Sequence, residues 1–137
     1  MDAPKPPIDR QALLGAAAAA ALNAHAPYSR FRVGAAVLTE RDTVITGCNV
    51  ENASYGLCLC AERAALAGAV AQGARNIRAI AVACIDAEPK LGIEGRTPCG
   101  SCRQWLLELA PNAEVHIQGV EEVFKPQALL PHGFTLG

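Results

Sequence analysis

The feature that most restricts the fold of this chain is a continuous apolar segment in its middle, residues 77–85, with the sequence IRAIAVACI. Isoleucine and valine favour an extended strand. Because the segment is apolar along nearly its whole length, both of its faces are expected to be covered. The segment therefore predicts the central strand of a sheet.

The rest of the chain alternates between helical and extended patterns. Helices are predicted over 9–25, 60–72 and 99–109, and further strands over 31–39, 43–48 and 114–118. The first two strands are joined by a tight hairpin. This order predicts an α/β fold, a three-layer α/β/α sandwich with a mixed sheet of roughly five strands and helices on both faces. In the tail, a short strand or helix is expected within 120–130.

Length and charge limit the organisation and the partners of the chain. Its 137 residues, 51% hydrophobic and 18% charged, fit a single domain over 1–137. Three early prolines predict a loose leader over 1–8. Twelve Lys and Arg stand against thirteen Asp and Glu. This balance argues against a nucleic acid or an anionic membrane as the partner.

The N-terminal segment decides how the six cysteines are interpreted, because a secreted chain would use them as a disulfide framework. The alanine-rich residues 16–21 resemble the apolar part of a secretion signal. However, two aspartates cancel the two basic residues before them. The segment is also shorter than a membrane span. We therefore expect a cytoplasmic protein with reduced thiols.

Three cysteines have the spacing of a metal site. Cys99 and Cys102 lie three residues apart at the start of a predicted helix, so both can face one metal ion as thiolates. Cys60 opens another predicted helix, and two helix N-termini can converge on one zinc through three sulfurs. Glu62 then lies near the metal without having to bind it. Zinc lowers the pKa of bound water to about 7, and such a carboxylate can transfer the proton.

Two arginines follow these residues along the chain. Three thiolates leave a zinc site with a net negative charge, which weakens the metal as a Lewis acid. Arg63 and Arg103 are predicted to donate hydrogen bonds to the sulfurs and so to draw charge from them.

A closed structural site is the alternative interpretation of the thiols. Cys58 would complete a Cys₄ zinc knot with no open position for water, but a knot leaves Glu62 without a purpose. Cys48 and Cys84 are expected to be small buried hydrophobes. Four further side chains are expected to have structural roles: His25, His116, His132 and Trp105.

Three motifs resemble those of a known family, the small zinc-dependent cytidine deaminases. They are NVENASYG (49–56), CAER (60–63) and PCGSCRQ (98–104). Two further segments, PYSRFRVGAAVL (27–38) and LLPHGF (129–134), extend the resemblance over most of the chain in the family's order.

The resemblance implies both the reaction and the metal site. Free cytidine and deoxycytidine would be hydrolysed to uridine and deoxyuridine plus ammonia, a step of pyrimidine salvage. Cys60, Cys99 and Cys102 would hold one Zn²⁺ per subunit. Glu62 would protonate N3 of the pyrimidine and then help ammonia to leave.

Substrate contacts and assembly also follow from the resemblance. Asn49 and Glu51 would bond the ribose hydroxyl groups, and Phe31 would pack on the pyrimidine ring. The family forms homotetramers whose active sites borrow residues from neighbouring subunits. The matching positions here are Tyr28, Ala53, Tyr55 and Phe134. Arg32 departs from the pattern, because the family often has proline there.

Three other functions stay open at this point. A relative acting on another aminated heterocycle would use the same zinc chemistry, but the ribose-binding segment argues against it. A polynucleotide editor is disfavoured by the charge balance. A non-enzymatic zinc scaffold would bind zinc and release no ammonia from any nucleoside.

Overall fold

The computed structural model describes residues 5–137. Its strands are β1 (Val33–Thr39), β2 (Val44–Cys48), β3 (Ile77–Cys84), β4 (Glu114–Ile117) and β5 (Val120–Phe124). Its helices are α1 (Arg10–Ala21), α2 (Ala61–Ala71), α3 (Gly100–Leu109) and α4 (Pro126–Leu129). Within the described residues, no helix combines the length and the apolar character needed to cross a membrane.

The five strands form one mixed sheet in the order β2-β1-β3-β4-β5. Strand β1 runs antiparallel to both β2 and β3, β4 runs parallel to β3, and β5 returns antiparallel to β4. The apolar segment that begins at Ile77 is therefore the middle strand, as predicted. Because parallel strands cannot be joined by a hairpin, the chain needs a crossover connection from β3 to β4. Helix α3 forms this connection.

Helices cover both faces of the sheet, and β3 presents a different surface to each. Its alanines Ala79, Ala81 and Ala83 face α1, where Leu13 and Ala17 pack against them. Larger side chains alternate with these alanines and pack against α2 and α3 on the opposite face. They include Ile80 and Val82, which lie in one core cluster with Leu66 of α2 and Leu106 of α3. The predicted three-layer α/β/α sandwich with a mixed five-stranded sheet is confirmed.

The structure adds detail to the sequence prediction at both ends of the chain. Helix α1 begins after Asp9, whose side chain accepts a hydrogen bond from Ala12 N at 3.1 Å. It ends at Ala21, earlier than the predicted His25, because the backbone of His25 instead pairs with the segment after β2. The tail forms both a strand, β5, and a short helix, α4. Of the predicted leader, residues 1–4 lie outside the described residues, and 5–8 contain no helix or strand.

Two glycines allow the helices to lie directly against the sheet. A Cβ atom on Gly34 of β1 would overlap the carbonyl oxygen of Ala17 and lie 2.6 Å from Ala21 N, both in α1. A Cβ atom on Gly47 of β2 would lie 2.8 Å from the carbonyl oxygen of Ala61 in α2. Because these neighbours are backbone atoms, they cannot move aside without shifting the helix. The two glycines thus set the distance between the sheet and each layer.

We expect Gly34→Ala to lower the free energy of unfolding by about 1–3 kcal/mol or more, as overpacking of a core does. The matched control is Gly15→Ala on the exposed side of α1, where an added Cβ meets no atom within 4 Å. That control is expected to raise the free energy of unfolding by roughly 0.5–1 kcal/mol, because alanine is the better helix former. Urea denaturation measures both values, and a Gly34→Ala protein as stable as the parent would contradict the close approach.

Candidate active site

Two helices begin at cysteines on the same side of the sheet. Cys60 directly precedes α2 and Cys99 directly precedes α3, each with an extended backbone. Each thiol therefore lies beside the free amide groups of a first helical turn, where negative charge is stabilised. Neither side chain bonds to those amides. Both sulfurs are thus free to bind a metal, and the buried Cys102 lies in the first turn of α3.

The three sulfur atoms lie within 4.8 Å of one another. The Sγ atoms of Cys60 and Cys99 are 3.8 Å apart, and those of Cys99 and Cys102 are 3.6 Å apart. A tetrahedral zinc with Zn–S bonds of about 2.3 Å separates its sulfur ligands by about 3.8 Å. The thiols therefore fit a zinc ion with three protein ligands, and a tetrahedral site then has its fourth position open.

Cys58 lies outside this cluster. Its sulfur accepts a hydrogen bond from Asn52 N at 3.3 Å, and its thiol donates to Asn52 O at 3.5 Å. The thiol of Cys58 therefore holds the loop before α2. The arrangement does not support the alternative of a closed four-cysteine knot.

Hydrogen bonds give the thiols of Cys60 and Cys102 different pKa values. The Cys60 sulfur is bonded by Cys102 and Arg63, which lowers the pKa of Cys60 to about 5. The same bond to Cys60, together with burial, raises the pKa of Cys102. One nitrogen of Arg63 lies 3.5 Å from the Cys60 sulfur, which is the contact predicted for this arginine.

Arg103 was expected to contact the sulfurs as well, and this prediction is wrong. Its guanidinium donates to Pro98 O and Leu129 O, each at 2.7 Å, and to the Thr97 hydroxyl at 3.0 Å. Successive side chains on a helix point about 100° apart, so the residue after Cys102 faces away from the metal site. Arg103 instead ties the segment before α3 to the end of α4.

Glu62 lies in the first turn of α2 and is only 5% exposed. Burial, together with the charge of the nearby Cys60 sulfur, raises the pKa of its carboxyl to about 7. A carboxyl group with a pKa near neutrality can both accept and donate a proton at ordinary pH. Glu62 therefore has the properties of a proton-transfer group.

Cys60, Cys99 and Glu62 face a cavity of about 270 Å³. Its walls come from the start of β1, the segment after β2, the start of α2, the end of β3 and the segment before α3. Six predicted site residues line it: Phe31, Asn49, Glu51, Cys60, Glu62 and Cys99. Larger hollows of about 390 and 470 Å³ lie elsewhere on the surface and include none of these six residues.

The polar side chains after β2 are already oriented by the protein. The Asn49 oxygen accepts from Val33 N at 2.8 Å, and the Asn49 nitrogen donates to Phe31 O at 2.9 Å. One N–H and one lone pair of this amide remain for a ligand. The Glu51 carboxylate accepts bonds from the Ser29 hydroxyl and from the amides of Ser29 and Tyr28, which lower its pKa. Glu51 is therefore an ionised acceptor.

The residues predicted for sites shared between subunits do not line this cavity. Tyr55 is 75% exposed and packs edge-on against Tyr28, beside a second hollow of about 260 Å³ that also touches Glu51. Ala53 lies on the exposed loop after β2. Phe134 is 70% exposed, with its backbone held by Gln104. These side chains are all exposed on the surface of the single chain.

Sequence reasoning missed several residues that line the cavity, including Ser29, Val33, Cys84 and Thr97. Cys84 was predicted only to be buried, and burial does raise the pKa of its thiol to about 11. Its position in the cavity depends on the sheet register, which pairs Cys84 with Val33. No local motif carries that information.

Comparison with known proteins places this site in a family. Residues 7–117 match the sequence profile of the family described as the cytidine and deoxycytidylate deaminase zinc-binding region. This chain belongs to that family. The family and the zinc cofactor predicted from the sequence are thereby confirmed.

The matches extend over most of each chain. The cytidine deaminase of Halalkalibacterium halodurans is 45% identical over 132 residues, which cover 93% of this chain and 96% of that protein. The cytidine deaminase of Mycobacterium tuberculosis is 48% identical over 103 residues, covering 75% and 73% of the two chains. A crystal structure of cytidine deaminase from Burkholderia pseudomallei superposes with a TM-score of 0.82 at 47% identity, covering 93% of this chain and all of the other.

We expect Cys99→Ser and Cys102→Ser to lose most of the bound zinc, because each removes one of three thiolate ligands. The parent is expected to bind about one zinc per chain. The matched control is Cys58→Ser, whose thiol bonds only to the loop and which should keep the full amount. Elemental analysis of the purified proteins measures the zinc content. Loss of zinc from Cys58→Ser would contradict the three-ligand assignment.

Proposed function

We propose that this chain catalyses the hydrolytic deamination of free cytidine and deoxycytidine to uridine and deoxyuridine plus ammonia, in pyrimidine salvage. The observation that carries the proposal is the buried carboxyl of Glu62 beside the three thiols, in one cavity with Asn49 and Glu51. The names of the relatives agree with this reaction.

The thiolates of Cys60, Cys99 and Cys102 would hold the metal. Bound zinc supplies a Lewis acid that brings the pKa of a water molecule close to neutrality. Glu62 takes one proton from the attacking water and delivers it to N3 of the pyrimidine. It then passes the second proton to the amino group, which leaves as ammonia while oxygen remains on C4. A pKa of about 7 suits Glu62 to both transfers.

The remaining residues bind and orient the substrate. Asn49 has a donor and an acceptor left for the ribose, and ionised Glu51 adds an acceptor. Phe31 offers its ring to the pyrimidine. Arg63 contacts the Cys60 sulfur and offsets part of the negative charge of three thiolates.

The charge of the cavity favours a nucleoside over a nucleotide. Among the described residues that line it, Arg96 is the only one with a cationic side chain. Its guanidinium is already bonded to Leu91 O at 3.0 Å and Glu88 O at 2.9 Å. Glu51 adds negative charge. A 5′-phosphate would therefore meet the negative charge of Glu51, beside an arginine whose guanidinium is already held in place by two carbonyl groups.

The proposal includes a homotetramer of single-domain subunits over 1–137, in the cytoplasm, with active sites shared between neighbours. Tyr28, Tyr55 and Phe134 support shared sites, because they are 53%, 75% and 70% exposed and large exposed apolar side chains mark contact surfaces. The six unpaired cysteines suit a reducing compartment. Light scattering should give a mass near four times the 14.3 kDa of one chain.

We expect Glu62→Gln to keep its zinc and to lose about 10²- to 10⁴-fold in kcat on cytidine, because an amide cannot carry the proton. Ultraviolet absorbance follows the conversion to uridine, and elemental analysis reports the zinc. The matched control is Glu121→Gln on the exposed part of β5, which should leave kcat unchanged. Activity of Glu62→Gln near the parental level would refute the assigned role.

We expect kcat/KM for cytidine 5′-monophosphate and its deoxy form to fall at least about 100-fold below the values for the nucleosides. The physical reason is that a phosphate beside ionised Glu51 brings like charges together, which costs several kcal/mol. The same absorbance assay measures all four substrates. Comparable turnover of the monophosphates would show that another group accepts the phosphate.

A further inference from the structure

Residues 31–33 form a wall of the cavity just where β1 begins. Phe31 and Val33 face the cavity, whereas Arg32 faces a separate hollow on the opposite side together with Asp86. This alternation is the ordinary geometry of an extended segment. Contacts that hold Arg32 on the side away from the cavity therefore also determine the direction in which Phe31 and Val33 point.

Side chains supply many of the hydrogen bonds of this wall. The Phe31 amide donates to the Ser29 hydroxyl at 3.0 Å, and Asn49 bonds the carbonyl of Phe31 and the amide of Val33. The carbonyl of Arg32 accepts from Ile85 N at 3.2 Å. The wall is thus held from the loop after β2 and from the end of β3.

Asp86 provides the remaining bonds. Its carboxylate accepts from the backbone amide of Arg32 at 2.8 Å and from the Arg32 guanidinium at 2.8 and 2.9 Å. The side chains of Arg32 and Asp86 are 41% and 23% exposed. A pair this exposed contributes little to global stability. However, its three bonds with bidentate geometry restrict orientation strongly.

We propose that Asp86, acting through Arg32, is a positioning residue that holds Phe31 in place for the substrate. The inference rests on the proposed function, because it takes Phe31 to contact the pyrimidine. Sequence patterns assigned no role to Asp86, and Arg32 stood out only as a departure from the family pattern. The structure joins the two behind the cavity wall.

The chain contains a matched pair for comparison. Arg78 and Asp42 form a second arginine–aspartate ion pair, with side chains 18% and 47% exposed. Asp42 lies in the turn between β1 and β2, and neither residue lines the cavity. Breaking this pair removes an arginine–aspartate ion pair from a different place in the fold, where the aspartate makes one hydrogen bond to the arginine.

The test compares Asp86→Ala, Asp86→Asn and Arg32→Lys with the control Asp42→Asn. We expect Asp86→Ala to raise KM for cytidine, and to weaken uridine binding measured by calorimetry, by about two- to tenfold, the range of one aromatic contact. The values of kcat and zinc content should stay close to the parent's, because the thiols and Glu62 are untouched. Asp86→Asn and Arg32→Lys each keep part of the bonding and should give intermediate values. Asp42→Asn should leave KM unchanged.

The possible outcomes distinguish a failure of the positioning role of Asp86 from a failure of the proposed function. If the Asp86 variants lower Tm but leave KM and uridine binding at parental values, the pair is merely structural and the inference is overturned. The same conclusion follows if Asp42→Asn raises KM as much as Asp86→Asn does. If Asp86→Ala does not fold, the other two variants decide. A parent that neither deaminates cytidine nor binds uridine would instead overturn the proposed function itself.

Discussion

The site depends on two helices that begin at the same place. Each helix N-terminus carries a partial positive charge, so bringing the starts of α2 and α3 together is unfavourable unless negative charge lies between them. The sulfurs of Cys60 and Cys99, at the two helix starts, provide that charge, with Cys102 directly beneath. The same field favours the thiolate forms that bind zinc. The packing of the helices and the chemistry of the metal site therefore support each other.

The sheet determines how closely this arrangement is held. Glycine at position 47 lets α2 rest on β2, and α2 carries both Cys60 at its start and Glu62 in its first turn. A larger residue there would lift the helix and move the proton-transfer group relative to the thiols. The position of Glu62 relative to the thiols thus depends on glycine, which has no side chain, at position 47 of β2.

Sequence patterns predicted the class of fold and the pairing of Cys99 with Cys102 at one candidate metal site, because both depend on local patterns. The apolar segment of β3 and the spacing of Cys99 and Cys102 depend on residues close together in the chain. Contacts that require the register between strands were missed, including the place of Cys84 beside Val33. The predicted contact of Arg103 with the sulfurs was wrong because neighbouring side chains on a helix point about 100° apart. Arg103 therefore has different surroundings from Cys102.

Asn49 has two partners among the backbone groups of β1 and its approach, and it retains capacity for a ligand. The same amide thus belongs to the architecture and to the binding surface. Any fluctuation that frees the start of β1 also releases Asn49 and Phe31 together. The affinity for a ligand is therefore coupled to local unfolding at the start of β1. On warming, this affinity should decrease at a lower temperature than the one at which the sheet unfolds.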